Sequence, residues 1–193
     1  MIFIEKFSKN FDKKSLMLSV SYGILKNKKR LWGKLIMKTL DVAHINPFLQ
    51  SSQSVIEMAT QIKVTVGKPG IAKLNFPGTS VILGVGVTGV LKGQVLIVMT
   101  EEHAKIFASK MMMGMPIETL DEMAKSALCE LSNMIMGNTA TLFASNGIAM
   151  DITPPFSMQG DNLTLQTDVQ ALRIPMLENG AELFALYLCV GEE

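Results

Sequence analysis

Cysteine and histidine are scarce in this sequence, with two of each among 193 residues. Two cysteines cannot build the disulfide framework of a small secreted scaffold. Cys129 and Cys189 fall within a helix pattern and a strand pattern, where a thiol serves as a small apolar side chain. His44 and His103 are far apart in sequence, with no cysteine or acid cluster at ligand spacing, which argues against a metal site. Long apolar runs are also missing. None approaches the ~20 residues that a membrane-spanning helix requires, and Met1-Ile-Phe-Ile is broken at once by Glu5 and Lys6, so it makes no signal peptide. The expected location is cytoplasmic, with no membrane insertion.

What is present describes a soluble globular chain, 48% hydrophobic and 18% charged, long enough for one ordinary domain and an appendage. The net charge of +1 hides a division. Residues 1–38 hold ten Lys or Arg against Glu5 and Asp12, a net of +8, whereas residues 39–193 hold eight basic against fifteen acidic side chains, a net of −7. The basic segment has no sustained period of 2 or 3.6. Three readings are open for it: a disordered basic arm, a contact for anionic polymers or membrane, or no part of the native product. The last is favoured, because Met37-Lys-Thr-Leu-Asp reads as a fresh start and Trp32-Gly33-Lys34 requires a G-rich purine run just upstream of it. An intact mass beginning at Met1 in the natively expressed protein would sink that reading. Nucleic-acid binding is disfavoured, since residues 39–193 are acidic and lack a basic surface laced with aromatics.

From residue 39 onward the order of elements is readable. Asn46-Pro47 predicts a helix start, an Asn cap with Pro at the first helical position, followed by an apolar stripe of Phe48, Val55, Ile56, Ala59 and Ile62 that ends near Lys63. A short strand over 62–66 is expected before the turn-rich Gly67-Lys-Pro-Gly70 and a loop around Phe76-Pro-Gly78. Residues 80–88 and 93–99 predict a hairpin of β-branched strands. Gly84, Gly86 and Gly89 lie in this hairpin rather than at a strand-to-helix turn, so they do not form a phosphate loop. Thr100 caps a helix that opens on Glu101 and Glu102 and stops at Gly114 after the Met111–Met113 run. Thr119-Leu-Asp-Glu122 predicts a capping box for a long central helix ending before Asn146-Gly147. Three more strands are expected over 148–153, 162–174 and 181–190, with turns at Gly160-Asp161-Asn162 and Glu178-Asn179-Gly180. Each half is thus a helix followed by three strands, a weak internal repeat.

The central helix carries the chemistry. At about 100° per residue, Ser126, Glu130, Asn133 and Gly137 fall within roughly one sixth of the helix circumference. Leu120, Ala124, Ala127, Leu128, Leu131, Ile135 and Leu142 supply the face to be buried. Met123 and Met134 border the stripe and could form an adaptable docking rim, although methionines at this spacing more often belong to a core. Taken alone, an exposed Glu and Asn on a helix are usually only solvated surface. Gly137 and Asn138 stand where Gly costs about 1 kcal/mol against Ala, so the glycine reads either as room for a partner's backbone or as a kink.

The combination Ser126-x-x-x-Glu130-x-x-Asn133, with Gly137-Asn138 beyond it and a proline at 154 or 155, resembles the CheX/CheC/FliY family of chemotaxis phosphatases. Ile45-Asn46-Pro47-Phe48 is similar to the opening of such a domain, and the likeness spans residues 39–190. It implies an α+β fold of pseudo-duplicated helix-plus-three-strand units, with a six-stranded sheet, long helices on one face and a homodimer. It also implies hydrolysis of the aspartyl phosphate of a CheY-type response regulator. In that role Asn133 orients the attacking water and Glu130 pairs with the regulator's lysine; Ser126, Gly137, Met123 and Met134 give support. The protein would need no cofactor of its own, Mg2+ being supplied by the regulator. In the first helix Gln53, Glu57 and Thr60 stand where Ser126, Glu130 and Asn133 stand in the second, so the amide is lost and one complete site is left, as in CheX-type members. The rival readings are a non-catalytic module that sequesters the phosphorylated regulator or serves the flagellar switch, and an adaptor whose dimer interface is its function.

Overall fold

The computed structural model describes residues 42–167 and 170–192. The basic segment, residues 1–38, lies outside the described residues. Among the described residues there are three helices, α1 (Val42–Thr60), α2 (Glu101–Met111) and α3 (Glu122–Ser145). The strands are β1 (Thr65–Val66), β2 (Gly70–Ala72), β3 (Asn75–Gly89), β4 (Leu91–Thr100), β5 (Met150–Ile152), β6 (Phe156–Thr164), β7 (Ala171–Glu178) and β8 (Ala181–Glu192).

All strand pairings are antiparallel, and the order across the sheet is β1-β7-β8-β4-β3-β5. β2 also pairs with β7 on the edge that β1 uses, and β6 pairs with β3 on the edge that β5 uses. Eight segments therefore fill six positions, which accounts for the expected six-stranded sheet. The two halves exchange their edges. The first helix-plus-strands unit contributes β1 and β2 to the second unit's β7, and the second returns β5 and β6 to β3, so a pseudo-twofold axis passes between the central strands β4 and β8.

Alternation along the strands assigns two faces. Val81, Leu83 and Val85 of β3 lie opposite Met99, Ile97 and Val95 of β4, and all are buried toward the helices. On the same face Phe184 of β8 meets Phe107 of α2 edge-on, with ring centroids 5.7 Å apart. The far face is apolar too, which the expected one-sided architecture did not foresee. There Leu74, Phe76, Ile82, Leu96, Tyr187 and Cys189 cluster, and the Phe156 ring covers Gly84, where an added Cβ would come within 2.1 Å of it. Burial on both faces explains why these strands read as almost continuous apolar runs.

Several predicted boundaries move. α1 begins at Val42, and Pro47 sits inside it rather than at its first position. Proline there removes a single hydrogen bond, to the carbonyl of solvent-exposed Ala43, while Ile45, Phe48 and Leu49 extend the buried stripe toward the N-terminus. Phe76-Pro77-Gly78 is part of β3, not a loop, and passes through a bulge between Phe76 and Thr79. Gly160-Asp161-Asn162 is not a turn but lies within β6, with Gly160 and Asp161 paired with Ser80 and Thr79 and Asn162 at the bulge. The strand expected over 162–174 is consequently two, β6 ending at Thr164 and β7 beginning at Ala171. By contrast, Asn179 and Gly180 have φ of 50° and 84°, the paired left-handed residues that a tight hairpin turn requires.

Candidate active site on the central helix

α3 is started by Asp121, whose carboxylate accepts the N–H of Ala124 at 2.8 Å. Thr119, the expected cap, lies outside the helix. Asp121 satisfies an orphan donor of the first turn and adds a negative charge at the positive end of the helix dipole. Ala124, Leu128, Leu131, Ile135, Met136 and Phe143 are buried along one side. Leu142, expected with them, is only half-buried. Phe143 packs edge-on against Phe48 of α1, with centroids 5.4 Å apart, so the end of α3 meets the beginning of α1 and the helices run antiparallel. Buried Ser52, Ser132 and Thr139 keep this crossing close, each donating its hydroxyl to a carbonyl of its own helix at 2.7–2.8 Å.

With that side buried, the predicted stripe faces outward. Ser126 and Glu130 are exposed, and Asn133 and Gly137 are half-buried. Among the described residues, the side chains of Ser126, Glu130 and Asn133 have no hydrogen-bond or ion-pair partner. Ser126 therefore makes no bond to a carbonyl of its own helix. Lys125, the nearest cation on the helix, pairs instead with Glu122 at 3.3 Å. Glu130 and Asn133 thus stand about 4.5 Å apart along the helix axis, both available to an incoming group. Met123 is 63% exposed, beside the start of the stripe, whereas Met134 is half-buried. Cys129 flanks Asn133 at half exposure, and Thr141 continues the ridge; the helical angle alone would have placed both.

The corresponding residues of α1 are spent internally. Gln53 donates its amide to the carbonyl of Val64 at 2.9 Å. Glu57 pairs with Lys63 at 3.2 Å, and Thr60 is buried, donating to the carbonyl of Ile56 at 2.6 Å and accepting the N–H of Ile62 at 3.3 Å. The far face of the sheet holds a cavity of about 310 Å³ lined by Leu74, Gln94, Phe156, Leu165 and Cys189 among others. Burial pushes the Cys189 thiol up to about 11, which makes it a packing group rather than a nucleophile.

A family model described as chemotaxis phosphatase CheX matches residues 81–177. The CheY-P phosphatase CheX of Thermotoga maritima is 32% identical over 152 residues, 78% of this chain and 97% of that protein. The chain belongs to the CheX family of chemotaxis phosphatases. Two solved CheX structures superpose on it. That of the CheX–CheY–BeF3–Mg2+ complex from Borrelia burgdorferi has a TM-score of 0.65 at 29% identity, covering 77% of this chain and 98% of the other. A CheX from Desulfovibrio desulfuricans, at 24% identity and a TM-score of 0.67, covers 77% and 99% and shares the fold. The polar side chains of α1 are thus engaged within the fold, whereas Ser126, Glu130 and Asn133 of α3 are not, among the described residues.

Proposed function

We propose that this CheX protein hydrolyses the aspartyl phosphate of a CheY-type response regulator, with Asn133 as the water-orienting residue and Glu130 as the residue that holds the partner. The observation that carries the assignment is the contrast in availability. Glu130 and Asn133 are outward and unpartnered among the described residues, while Glu57 and Thr60 are engaged.

An amide suits the task because it donates and accepts at once and keeps its charge state near pH 7. Its oxygen can accept a hydrogen bond from water while the water's own oxygen is held in line with phosphorus, the role a Gln fills in GTPases. Attack forms one new P–O bond and breaks the bond to the regulator's aspartate, releasing carboxylate and inorganic phosphate. The Mg2+ belongs to the regulator in this reading, as does the lysine that Glu130 meets through a charge-assisted hydrogen bond. That pair fixes register and so places Asn133 at the reacting centre. Ser126, Met123 and Met134 would line the contact.

The test is the decay of a phosphorylated CheY-type regulator with magnesium and catalytic amounts of this protein. Accelerated decay that disappears with Asn133→Ala is expected. Unchanged decay with a stable complex would instead identify a sequestering module. A homodimer and a cytoplasmic location complete the proposal, and among the described residues no helix is long and apolar enough to cross a membrane. Light scattering that gave a monomer mass at working concentration would remove the dimer from it.

A further inference from the structure

Gly137 lies one helical turn beyond Asn133 on the same ridge, and nothing inside the molecule requires it. A glycine within a helix is explained by a left-handed φ, by a neighbour pressed against it, or by the end of the helix. Gly137 is not among the residues of positive φ. A Cβ built on it would have no atom within 4 Å beyond its own helix. The helix runs on without a break to Ser145, so the glycine does not end it. Gly84 shows the alternative, since a Cβ there would strike the ring of Phe156. Around Gly137 the helix pays conformational entropy and receives no internal contact in return. Its carbonyl is occupied by the Thr141 hydroxyl at 3.0 Å, so what remains open is the bare Cα surface.

We propose that Gly137 is a clearance notch in the docking ridge, the point at which backbone of the phosphorylated response regulator packs directly on α3. This rests on the functional reading above and adds to it what sets depth of approach. Asn133 must reach a phosphorylated aspartate recessed in another protein. A side chain about 6 Å further along the axis, on the same stripe, would strike the partner first and hold the amide away from its water. The occupant is the regulator because the notch continues the line of Ser126, Glu130 and Asn133, the surface by which the substrate is engaged.

The experiment compares Gly137→Ala and Gly137→Leu with the unmodified protein in three measurements: Tm, affinity for a CheY-type regulator loaded with beryllofluoride and magnesium, and turnover of the phosphorylated regulator. Both variants should keep or raise Tm. Affinity should fall several-fold for Ala and more than ten-fold for Leu, with kcat falling alongside. Binding and turnover equal to wild type in both variants would overturn the notch, and so would a lowered Tm in Gly137→Ala, which would reveal an internal role. Should the unmodified protein neither bind nor dephosphorylate the regulator, the functional reading would fall, and the notch with it.

Discussion

α1 and α3 occupy equivalent places in the two halves of the molecule and carry an acid at matching positions, yet they use their polar residues in opposite ways. On α1 the helix stops at the position that Asn133 holds on α3. Gln61 turns left-handed at φ 62°, its N–H still bound to the carbonyl of Glu57 at 2.9 Å, and Thr60 becomes the buried last residue. On α3 the helix continues past Asn133 to Ser145, so the amide sits mid-helix on a firmly held element facing solvent. The difference teaches that an acid at the right spacing is not a site. What makes one is polar groups left unsatisfied within the fold, on a rigid support, where a partner can satisfy them.

The largest way to break that comparison is at Asn133. Replacing it with alanine should lower kcat by about 100-fold or more, the usual scale for losing a group that orients the attack or stabilises developing charge. Affinity for the beryllofluoride-loaded regulator should stay within a few-fold, and Tm should hold or rise slightly, since no bond inside the fold is lost and Ala is the better helix former. A fully active variant would refute the role. Glu130→Ala comes next. Loss of a charge-assisted hydrogen bond to the partner, worth ~1.5–3 kcal/mol, lowers kcat/KM by roughly ten- to a hundred-fold. Here affinity should weaken as well, and steady-state kinetics alongside direct titration separate the two variants.

Much of this contrast was legible in the sequence, because it depends on periodicity and residue type. Glu130 and Asn133 share a stripe by helical angle alone, and Thr60 stands on α1 where α3 carries an amide. Which groups would be consumed was not legible, since Gln53 bonds Val64 and Glu57 bonds Lys63 only after the chain has turned at Gln61. The sheet edge was misread for a related reason. Gly160, Asp161 and Asn162 are turn-forming residues, but their polarity serves a bulged strand: Asn162 accepts the N–H of Gly78 at 3.1 Å, and Asp161 accepts the Thr79 hydroxyl at 2.5 Å. Pro47 misled in the opposite direction, because burial of its neighbours outweighed one missing hydrogen bond. Cross-strand partners and tertiary burial are non-local, and single-sequence patterns carry little of either.

The α1 side of the comparison yields stability effects in place of catalytic ones. Thr60→Ala removes a buried hydroxyl and leaves the N–H of Ile62 without its acceptor, so it should cost about 1–2 kcal/mol in chemical denaturation with turnover per folded molecule unchanged.

The smallest effect is expected at Glu57, the counterpart of Glu130. Its side chain is 52% exposed, and that of its partner Lys63 is 82% exposed; such a pair is screened by water and salt, and its loss costs no more than ~0.5 kcal/mol. Glu57→Ala should therefore leave kcat and KM within two-fold of wild type, and what little stability it loses should vanish in high salt. The value of the variant lies in its pairing with Glu130→Ala. Both remove a surface carboxylate at matching positions of the two units, so a non-specific effect of surface charge on regulator binding would appear in both. If Glu57→Ala impaired turnover as much as Glu130→Ala does, α1 would be engaging the regulator too, and internal consumption of its polar groups would no longer account for a single site. If only Glu130→Ala impairs it, the two helices differ in function as their hydrogen bonds say they should.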